Sequence, residues 1–402
     1  MTSAATSSAP TTGLTRVLDQ PTLLPQGTVA LCANYTSVTA DLGRGVDALL
    51  AAGVPLTSLL TPEHGYWGAA QAGESDGEGT DAATGLPVLD SYLLEGAELE
   101  ALLLRSQAEQ IVVDLQDIGT RFYTYMWTLY DVMCAAVRTG QRVVVLDRPN
   151  PLGRSGAGPG LDAECASFVG RVSIPLRHGL TLGELARWFA AEHVPAATGS
   201  SPELVVIEAE WDGSASQDTA TWVMPSPNMP TLDCAALYPA TGLIEGTTLS
   251  EGRGTTKPFE LIGAPWTDQR LAAALREHEL PGMTVREAVF RPTFAKWAGE
   301  TVHGVQFHVR DAAAIDPAQT IHTVLSTVRD LYPDQELWRH RGPGIDGESR
   351  PPFADLLWGS SALRHGIDSG ASVEQILAAS PPAPRVPADV LHYPGHHGDG
   401  HG

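Results

Sequence analysis

Two hydrophobic periods alternate along the first half of the chain, and that alternation limits the fold more than any other feature. Residues 28–34 (TVALCAN), 56–60 (LTSLL), 110–117 (QIVVDLQD), 142–153 (RVVVLDRPNPLG) and 203–211 (ELVVIEAEW) begin as short apolar runs. Between them, residues 43–53, 95–106 and 125–140 place apolar side chains at helical spacing, the first and last ending at a glycine. Thr181 followed three residues later by Glu184 predicts a capping box at the start of a fourth helix. Strands that alternate with helices pair in parallel, with helices covering both faces of the sheet. The reading is an α/β fold, Rossmann-like and doubly wound, with a mostly parallel sheet.

Past residue 255 the texture changes. QRLAAALREHEL reads as a helix, GVQFHVRD as a strand and IHTVLSTVRDLYP as a helix. A second, smaller α+β domain at the C-terminal end follows. The expected division is a flexible N-terminus over residues 1–20, a Rossmann-like catalytic domain over 21–255, the α+β domain over 256–393 and a His/Gly-rich tail over 394–402. That tail, PGHHGDGHG, is expected to be disordered. With 402 residues and 43% hydrophobic side chains there is enough apolar material for two cores, and 41 glycines and 30 prolines fit a loop-rich α/β protein.

Several function classes are excluded. A net charge of −22, from 47 acidic and 25 basic side chains, leaves no basic footprint for nucleic acid and disfavours an anionic membrane surface. Cys32, Cys134, Cys165 and Cys234 lack the spacing of a zinc site or disulfide framework and read as small buried residues. No basic start with an apolar h-region and no apolar run of spanning length is present, so the chain as written is expected in the cytoplasm, with export by a route not visible in the sequence as the alternative. Nothing in the sequence sets an oligomeric state. GxGxxG after the first strand, a Walker loop and a GxSxG elbow are all missing, as are HxH, HxxH and HExxH spacings around the candidate histidines. The expectation is no cofactor and no metal.

What the strands end in is more informative. Ligands of open α/β sheets bind beyond the carboxyl ends of the strands. The first strand ends at Asn34 and the second at Glu63-His64. The third ends at Asp114, Gln116 and Asp117, followed by Arg121 and Tyr123, and the fourth at Asp147-Arg148, then Asn150. In TPEHGYWG, Pro62 restrains the backbone while Gly65 and Gly68 permit tight turns, so Glu63 is held more firmly than an ordinary loop glutamate. The bland readings stand beside these: Asp114 and Asp117 capping a turn or pairing with Arg121, Asp147 as structural, His178 as a buried hydrogen-bonder. Ser226 and Asn228 lie between prolines in PSPNMP. A Gly/Thr-rich loop carries Glu245, Glu251, Arg253 and Lys257. Mixed carboxylates, arginines, amides and aromatics suit a sugar that bears an acidic group.

Six stretches in order, PEHGYWG, DLQDIGTRFYTY, VLDRPNPLG, PLRHGLTLGELA, PSPNMPT and EGTTLSEGRGTTKPFELIGAPW, make the chain resemble the NamZ-type exo-β-N-acetylmuramidases, glycoside hydrolase family 171, from about residue 28 to VLHYP near the C-terminus. The resemblance implies a cleft between the two domains and release of terminal N-acetylmuramic acid from the non-reducing ends of peptidoglycan glycans. It puts Glu63 on the family's candidate catalytic carboxylate and Glu251 on a second motif glutamate.

Glycoside hydrolysis needs an acid on the leaving oxygen and a second group to manage an oxocarbenium-like transition state. Glu63 is the candidate acid, with His64 and Tyr123 positioning it or holding the sugar. The second role is open between Glu251, Asp117 and the substrate's own acetamido group. Arg121 and Arg253 are candidates for the lactyl carboxylate, since Arg grips carboxylates bidentately. Asn34, Asp114, Gln116, Asp147, Asn150, His178, Ser226 and Asn228 complete the expected binding set, and the acidic run 74–81 is expected to form a mobile rim. A non-catalytic muropeptide- or sugar-binding protein, a glycosidase of the same family with a shifted substrate, and a metal-dependent hydrolase are the competing readings.

Overall fold

A computed structural model describes residues 10–215, 221–339 and 350–397. Seven strands form the first sheet: β1 (Val29–Ala33), β2 (Leu56–Thr61), β3 (Gly79–Thr80), β4 (Pro87–Asp90), β5 (Gln110–Asp114), β6 (Arg142–Leu146) and β7 (Leu204–Ile207), in the order β3-β4-β2-β1-β5-β6-β7. All neighbours pair in parallel except β3 with β4. The chain grows leftward from β1 through β2 to β4 and rightward from β5 to β7, so the switch point lies between β1 and β5.

Burial explains why the strands read as unbroken apolar runs. Ala30 and Cys32 of β1 join one apolar cluster, while Val29, Leu31 and Ala33 join another; Val143 and Val145 of β6 likewise part from Val144 and Leu146. Successive side chains point to opposite faces, and both faces are covered. Helices α1 (Gly13–Asp19) and α2 (Gly45–Ala51) cover one face through Leu14, Val17, Val46 and Leu49. On the other face, α3 (Gly96–Arg105) and α4 (Tyr125–Thr139) pack through Leu102, Leu103, Met126 and Leu129. Gly140 ends α4 at φ 75°, the left-handed cap that its sequence position predicts. The capping box at Thr181 and Glu184 is formed and starts α5 (Leu182–Trp188), which runs through a π-helical turn into α6 (Val194–Thr198).

The smaller part starts with α7 (Leu232–Thr241), before the expected boundary at residue 255, so the Gly/Thr-rich loop with Glu245, Glu251 and Arg253 belongs to it. Its sheet is antiparallel, β8 (Leu261–Ala264), β10 (Val302–Val309) and β9 (Met283–Phe290) in that order, with α8 (Gln269–Glu277) and α9 (Pro317–Leu331) against it. Three short helices, α10 (Phe353–Trp358), α11 (Ala362–Ser369) and α12 (Val373–Ala379), follow. No helix among the described residues is long and apolar enough to cross a membrane.

Two terminal expectations need correction. Residues 13–19 are helical rather than flexible: Leu14 and Val17 are fully buried, and Gly13 donates to the Asp147 carbonyl at 2.8 Å. Two helical turns are too few for a period to stand out. At the other end, residues 394–397 are docked. His397 donates its N–H to the Arg154 carbonyl (3.1 Å) and accepts from Gly156 (2.8 Å), and His396 Nε2 meets the His178 carbonyl at 3.2 Å. The remainder of both segments, 1–9 and 398–402, lies outside the described residues.

Candidate active site

Glu63 stands two residues past the end of β2, and its neighbours show how it is aimed. His64 adopts φ 72°, a left-handed conformation that few non-glycine residues take. Two bonds hold it there: its N–H donates to the Glu74 carbonyl (3.0 Å), and Nδ1 lies 2.9 Å from the Ala70 carbonyl. Since a carbonyl only accepts, Nδ1 carries the proton. Gly68, at φ 64°, passes so close to Tyr35 that a Cβ there would fall 1.6 Å from the ring. The chain thus reverses over β1 and β2 and points Glu63 inward, 6% exposed.

Both carboxylate oxygens are held. Gly73 N–H donates to Oε1 at 2.7 Å, and the Thr124 hydroxyl donates to Oε2 at 2.7 Å. Thr124 directly precedes α4, so the first turn of that helix meets the acid. An amide N–H can only donate. Oε1 is therefore an acceptor in either protonation state, and a proton on Glu63 resides on Oε2, where the Thr124 hydroxyl can turn to accept.

The loop that supplies Gly73 exposes Glu74, Asp76 and Glu78, as an acidic rim would, but it is fastened at both ends. Glu74 is tied to His64, and Asn228 Nδ2 donates to Gln71 Oε1 at 2.9 Å, joining the PSPN loop to the Glu63 loop. Asp81 is buried and accepts from Arg44 (2.8 Å) and from the Thr84 N–H and hydroxyl.

Aromatic side chains wall the carboxylate. Tyr92, Tyr125 and Tyr238 all lie within electrostatic reach of Glu63, and burial pushes each phenol's pKa up. Tyr125 stands between His64 (6.5 Å) and Tyr123 (4.9 Å), and its hydroxyl donates to the Pro225 carbonyl. Ser226 lies beside Tyr123. Asn34 accepts from the Thr36 N–H and hydroxyl. The Asn34 Nδ2, Tyr35, Tyr92 and Tyr123 hydroxyls are enclosed without a well-formed partner among the described residues. Enclosed polar groups are normally paired, so open ones gathered about Tyr125 and, at Tyr92, about Glu63 mark a place for a polar ligand.

The second domain contributes a buried charge cluster. Arg253 binds Glu245 through Nε (2.9 Å) and Nη2, with its guanidinium over Phe259. Glu251 Oε1 lies 3.6 Å from Arg253, and Oε2 lies 2.7 Å from Lys296 Nζ, off the hydrogen-bond axis. Lys296 also donates to the carbonyls of Ile244 (2.9 Å) and Thr247 (3.0 Å). Burial alone raises both glutamates' pKa values. For Glu251, Lys296 and Arg253 outweigh burial and hold it below the usual range, whereas Glu245 stays raised. Tyr238 feels both Glu63 and the Glu245–Arg253 pair and links the two halves.

Other expected site residues are structural. Arg121 is fully buried and donates to five carbonyls, those of Pro159 (2.7 Å), Gly160 (2.8 Å), Ile174 (3.0 Å), Leu357 (3.2 Å) and Trp358 (2.6 Å). Burial lowers its pKa to about 9. It clamps the two domains, and both of its terminal nitrogens are taken up by carbonyls rather than left for a lactyl group. Asp114 is paired with Arg148 (2.6 and 2.9 Å) and Ser37. Asp147 accepts from Gly183, Thr181 and Tyr393, and burial lifts its pKa to about 6. Asn150 closes a turn between Leu152 and Leu180, and Gln116 binds the carbonyls of Asp117 and Pro149. None of these meets Glu63. Asp117 accepts from Gly119 (2.6 Å) and faces His178 Nε2 at 3.2 Å, also off-axis. Leu180 N–H donates to His178 Nδ1, which puts the imidazole proton on Nε2. This pair is buried and makes no hydrogen bond or ion pair with Glu63.

Thr124, Tyr92, Tyr125, Tyr238 and Lys296 escaped the sequence reading. Thr124 and Tyr125 lie inside the quoted DLQDIGTRFYTY motif, directly before a predicted helix, which is a usable signal. Lys296 sits in a hairpin loop between Ala295 and Trp297, both at positive φ, and nothing local marks it. Among the described residues no group of three or more His, Cys, Asp or Glu side chains is placed to hold a metal ion.

The family model described as exo-beta-N-acetylmuramidase NamZ, N-terminal, matches residues 29–233, and its C-terminal counterpart matches residues 236–383. The peptidoglycan beta-N-acetylmuramidase NamZ of Bacillus subtilis is 42% identical over 355 residues, 87% of this chain and 82% of that protein. Two crystal structures of DUF1343-family proteins from Bacteroides fragilis are also similar. One has a TM-score of 0.78 at 30% identity, covering 91% of this chain and 93% of the other. The second has a TM-score of 0.70 at 27% identity, covering 93% and 94%.

Proposed function

The chain belongs to the exo-β-N-acetylmuramidase NamZ family, and on that premise we propose that Glu63 is the acid with which it releases N-acetylmuramic acid from the non-reducing ends of peptidoglycan fragments. The protein is a glycoside hydrolase whose substrate is a peptidoglycan-derived carbohydrate, in cell-wall turnover. The simplest substrate with the required bond is a disaccharide of N-acetylmuramic acid and N-acetylglucosamine.

One observation carries the role of Glu63: a carboxyl group walled by tyrosines, with one oxygen fixed as acceptor by Gly73 N–H and the other turned to the Thr124 hydroxyl. Oε2 gives its proton to the glycosidic oxygen as the C1–O bond breaks and its electron pair passes to the leaving sugar. Water then adds its oxygen to C1, and its spare proton restores the acid. Positive charge develops at C1 and has to be met by an anion or by the acetamido oxygen. Of the two buried glutamates of the second domain, Glu251 is the one held in its charged form, by Lys296 and Arg253. That favours Glu251 for electrostatic support of the oxocarbenium ion.

Glu63→Gln lets the amide oxygen keep the Gly73 N–H while the amide NH2 donates to the Thr124 hydroxyl, but it removes the transferable proton. Release of N-acetylmuramic acid from the disaccharide should fall by a factor of about 10³ or more, with thermal unfolding unchanged, given the 10²–10⁴-fold usually supplied by a positioned acid. Turnover near wild type would remove Glu63 from the chemistry.

A further inference from the structure

The hairpin between β9 and β10 reaches over the Glu251 segment and brings one charge to it. Its loop, residues 291–301, is fastened on both sides of Glu251. Trp297 Nε1 donates to the Thr248 carbonyl (2.7 Å), and the Thr293 N–H and hydroxyl donate to the Gly254 carbonyl (2.9 and 3.0 Å). Gly254 passes so close to the loop that a Cβ there would fall 2.6 Å from the Phe294 carbonyl oxygen. Between these fixed points stands Lys296, flanked by Ala295 at φ 64° and Trp297 at φ 60°. Two non-glycine residues in the left-handed region, one on each side of a lysine, are a strained arrangement of the kind that gathers where a side chain has to be aimed. Lys296 is enclosed, and its Nζ meets the Ile244 carbonyl (2.9 Å), the Thr247 carbonyl (3.0 Å) and Glu251 Oε2 (2.7 Å).

We propose, resting on the role given to Glu251 above, that Lys296 is a positioning residue of the reaction, carried by the β9–β10 hairpin to fix the charge and the place of the Glu251 carboxylate. Glu245, Glu251, Arg253 and Lys296 share one buried cluster, two charges of each sign. Arg253 is committed to Glu245, through Nε at 2.9 Å and through Nη2, and stands 3.6 Å from Glu251. Lys296 is therefore the direct partner of Glu251. Without it, two enclosed carboxylates are left with one guanidinium, and burial together with like-charge repulsion drives a proton onto one of them. The balance at Glu251 agrees: burial raises its pKa, and Lys296, ahead of Arg253, brings it below the usual range. Arg339 also acts on Lys296, and Tyr238 borders the Glu245–Arg253 pair. With its hydrogen bonds on two carbonyls and its charge against Glu251, Lys296 acts through that glutamate and not on the substrate.

The competing role is a tether that only fastens the hairpin to the Ile244 and Thr247 carbonyls. The pH profile of kcat/KM for release of N-acetylmuramic acid from the disaccharide separates the two. Glu251 works ionised and Glu63 protonated, so the acid limb of the profile belongs to Glu251 and the alkaline limb to Glu63. In Lys296→Met, Glu251 loses the neighbour that lowers its pKa. The acid limb should move up by about one pH unit or more and kcat should fall about tenfold or more, while the alkaline limb and KM stay near wild type. Lys296→Arg keeps the charge and should bring the limb back toward wild type. In a Glu251→Gln background, Lys296→Met should cost little further rate, because residues that act through one another are not additive. An acid limb that stays in place in Lys296→Met, with only a lowered melting temperature, identifies the tether and overturns the proposal. An Arg variant shifted as far as Met, or full additivity with Glu251→Gln, overturns it as well. Should Lys296→Met not fold, Lys296→Gln, whose amide can still donate to those carbonyls, reads the same limb. If Glu251→Gln alone keeps the wild-type rate and profile, the underlying reading of Glu251 has failed; if it is impaired and the Lys296 variants are not, only the role of Lys296 has.

Discussion

Thr124→Val removes one hydrogen-bonding atom at almost constant volume. The hydroxyl donates to Glu63 Oε2 at 2.7 Å and makes no capping bond to α4, whose backbone bonds to Thr124 are untouched. The loss is therefore confined to Glu63. A hydrogen bond to a charged group is worth about 1.5–3 kcal/mol net, and a carboxyl that loses it is free to rotate off the line to the leaving oxygen. If most of that energy serves the transition state, kcat falls by roughly 10- to 100-fold, since each 1.36 kcal/mol is a factor of ten. KM should move less than kcat, because Thr124 acts through Glu63. Thr124→Ser keeps the hydroxyl and should recover most of the rate. The assay is initial-rate release of N-acetylmuramic acid from the disaccharide, with thermal unfolding in parallel. A Val variant at the wild-type rate, or a Ser variant as impaired as Val, refutes the reasoning.

Two further outcomes follow from the corrected residues. Arg121→Lys keeps the charge but replaces a five-donor fork with a three-donor ammonium, leaving some of five enclosed carbonyls without a donor at about 1–3 kcal/mol each. The melting temperature should drop steeply while KM of the surviving folded enzyme stays put, and a selective rise in KM would return Arg121 to substrate binding. Asp147 gives a pH signature. Burial lifts its folded pKa to about 6, above the ordinary aspartate value of 3.8, so the fold binds its proton more tightly than the unfolded chain does. Its penalty is absent below about 3.8 and grows to about 3 kcal/mol as pH rises to about 6. Asp147→Asn, which can still accept from Gly183 and donate to the Thr181 and Tyr393 hydroxyls, should gain on wild type across that window in denaturant titrations. A pH-independent difference between the two proteins contradicts the shift.

The sheet was legible because both of its faces are buried, so β1, β5 and β6 appear as continuous apolar runs whose ends are easy to see. Glu63 was legible for a related reason: Pro62, Gly65 and Gly68 surround it with residues whose backbone properties are visible without a structure. What was lost is long-range pairing. Asp114 and Arg148 stand 34 positions apart, and Arg121 reaches carbonyls as distant as Trp358. A backbone acceptor leaves no trace in composition, so a buried structural arginine and a ligand-binding one look alike in sequence. In the acidic run 74–81 charge implied exposure correctly for Glu74, Asp76 and Glu78 but not for Asp81, which is enclosed by Arg44 and Thr84. Thr124 carries a local signal in its place before α4, but nothing local shows that its hydroxyl serves Glu63, 61 positions away, rather than the helix.

The central claim is that Glu63 delivers a proton to the leaving oxygen. Its most direct test compares Glu63→Gln with wild type on two muramides, one with a sugar leaving group and one with a 2,4-dinitrophenyl group that departs without protonation. The account predicts a loss of about 10³-fold or more on the sugar and a loss at least tenfold smaller on the dinitrophenyl substrate. An equal loss on both contradicts it.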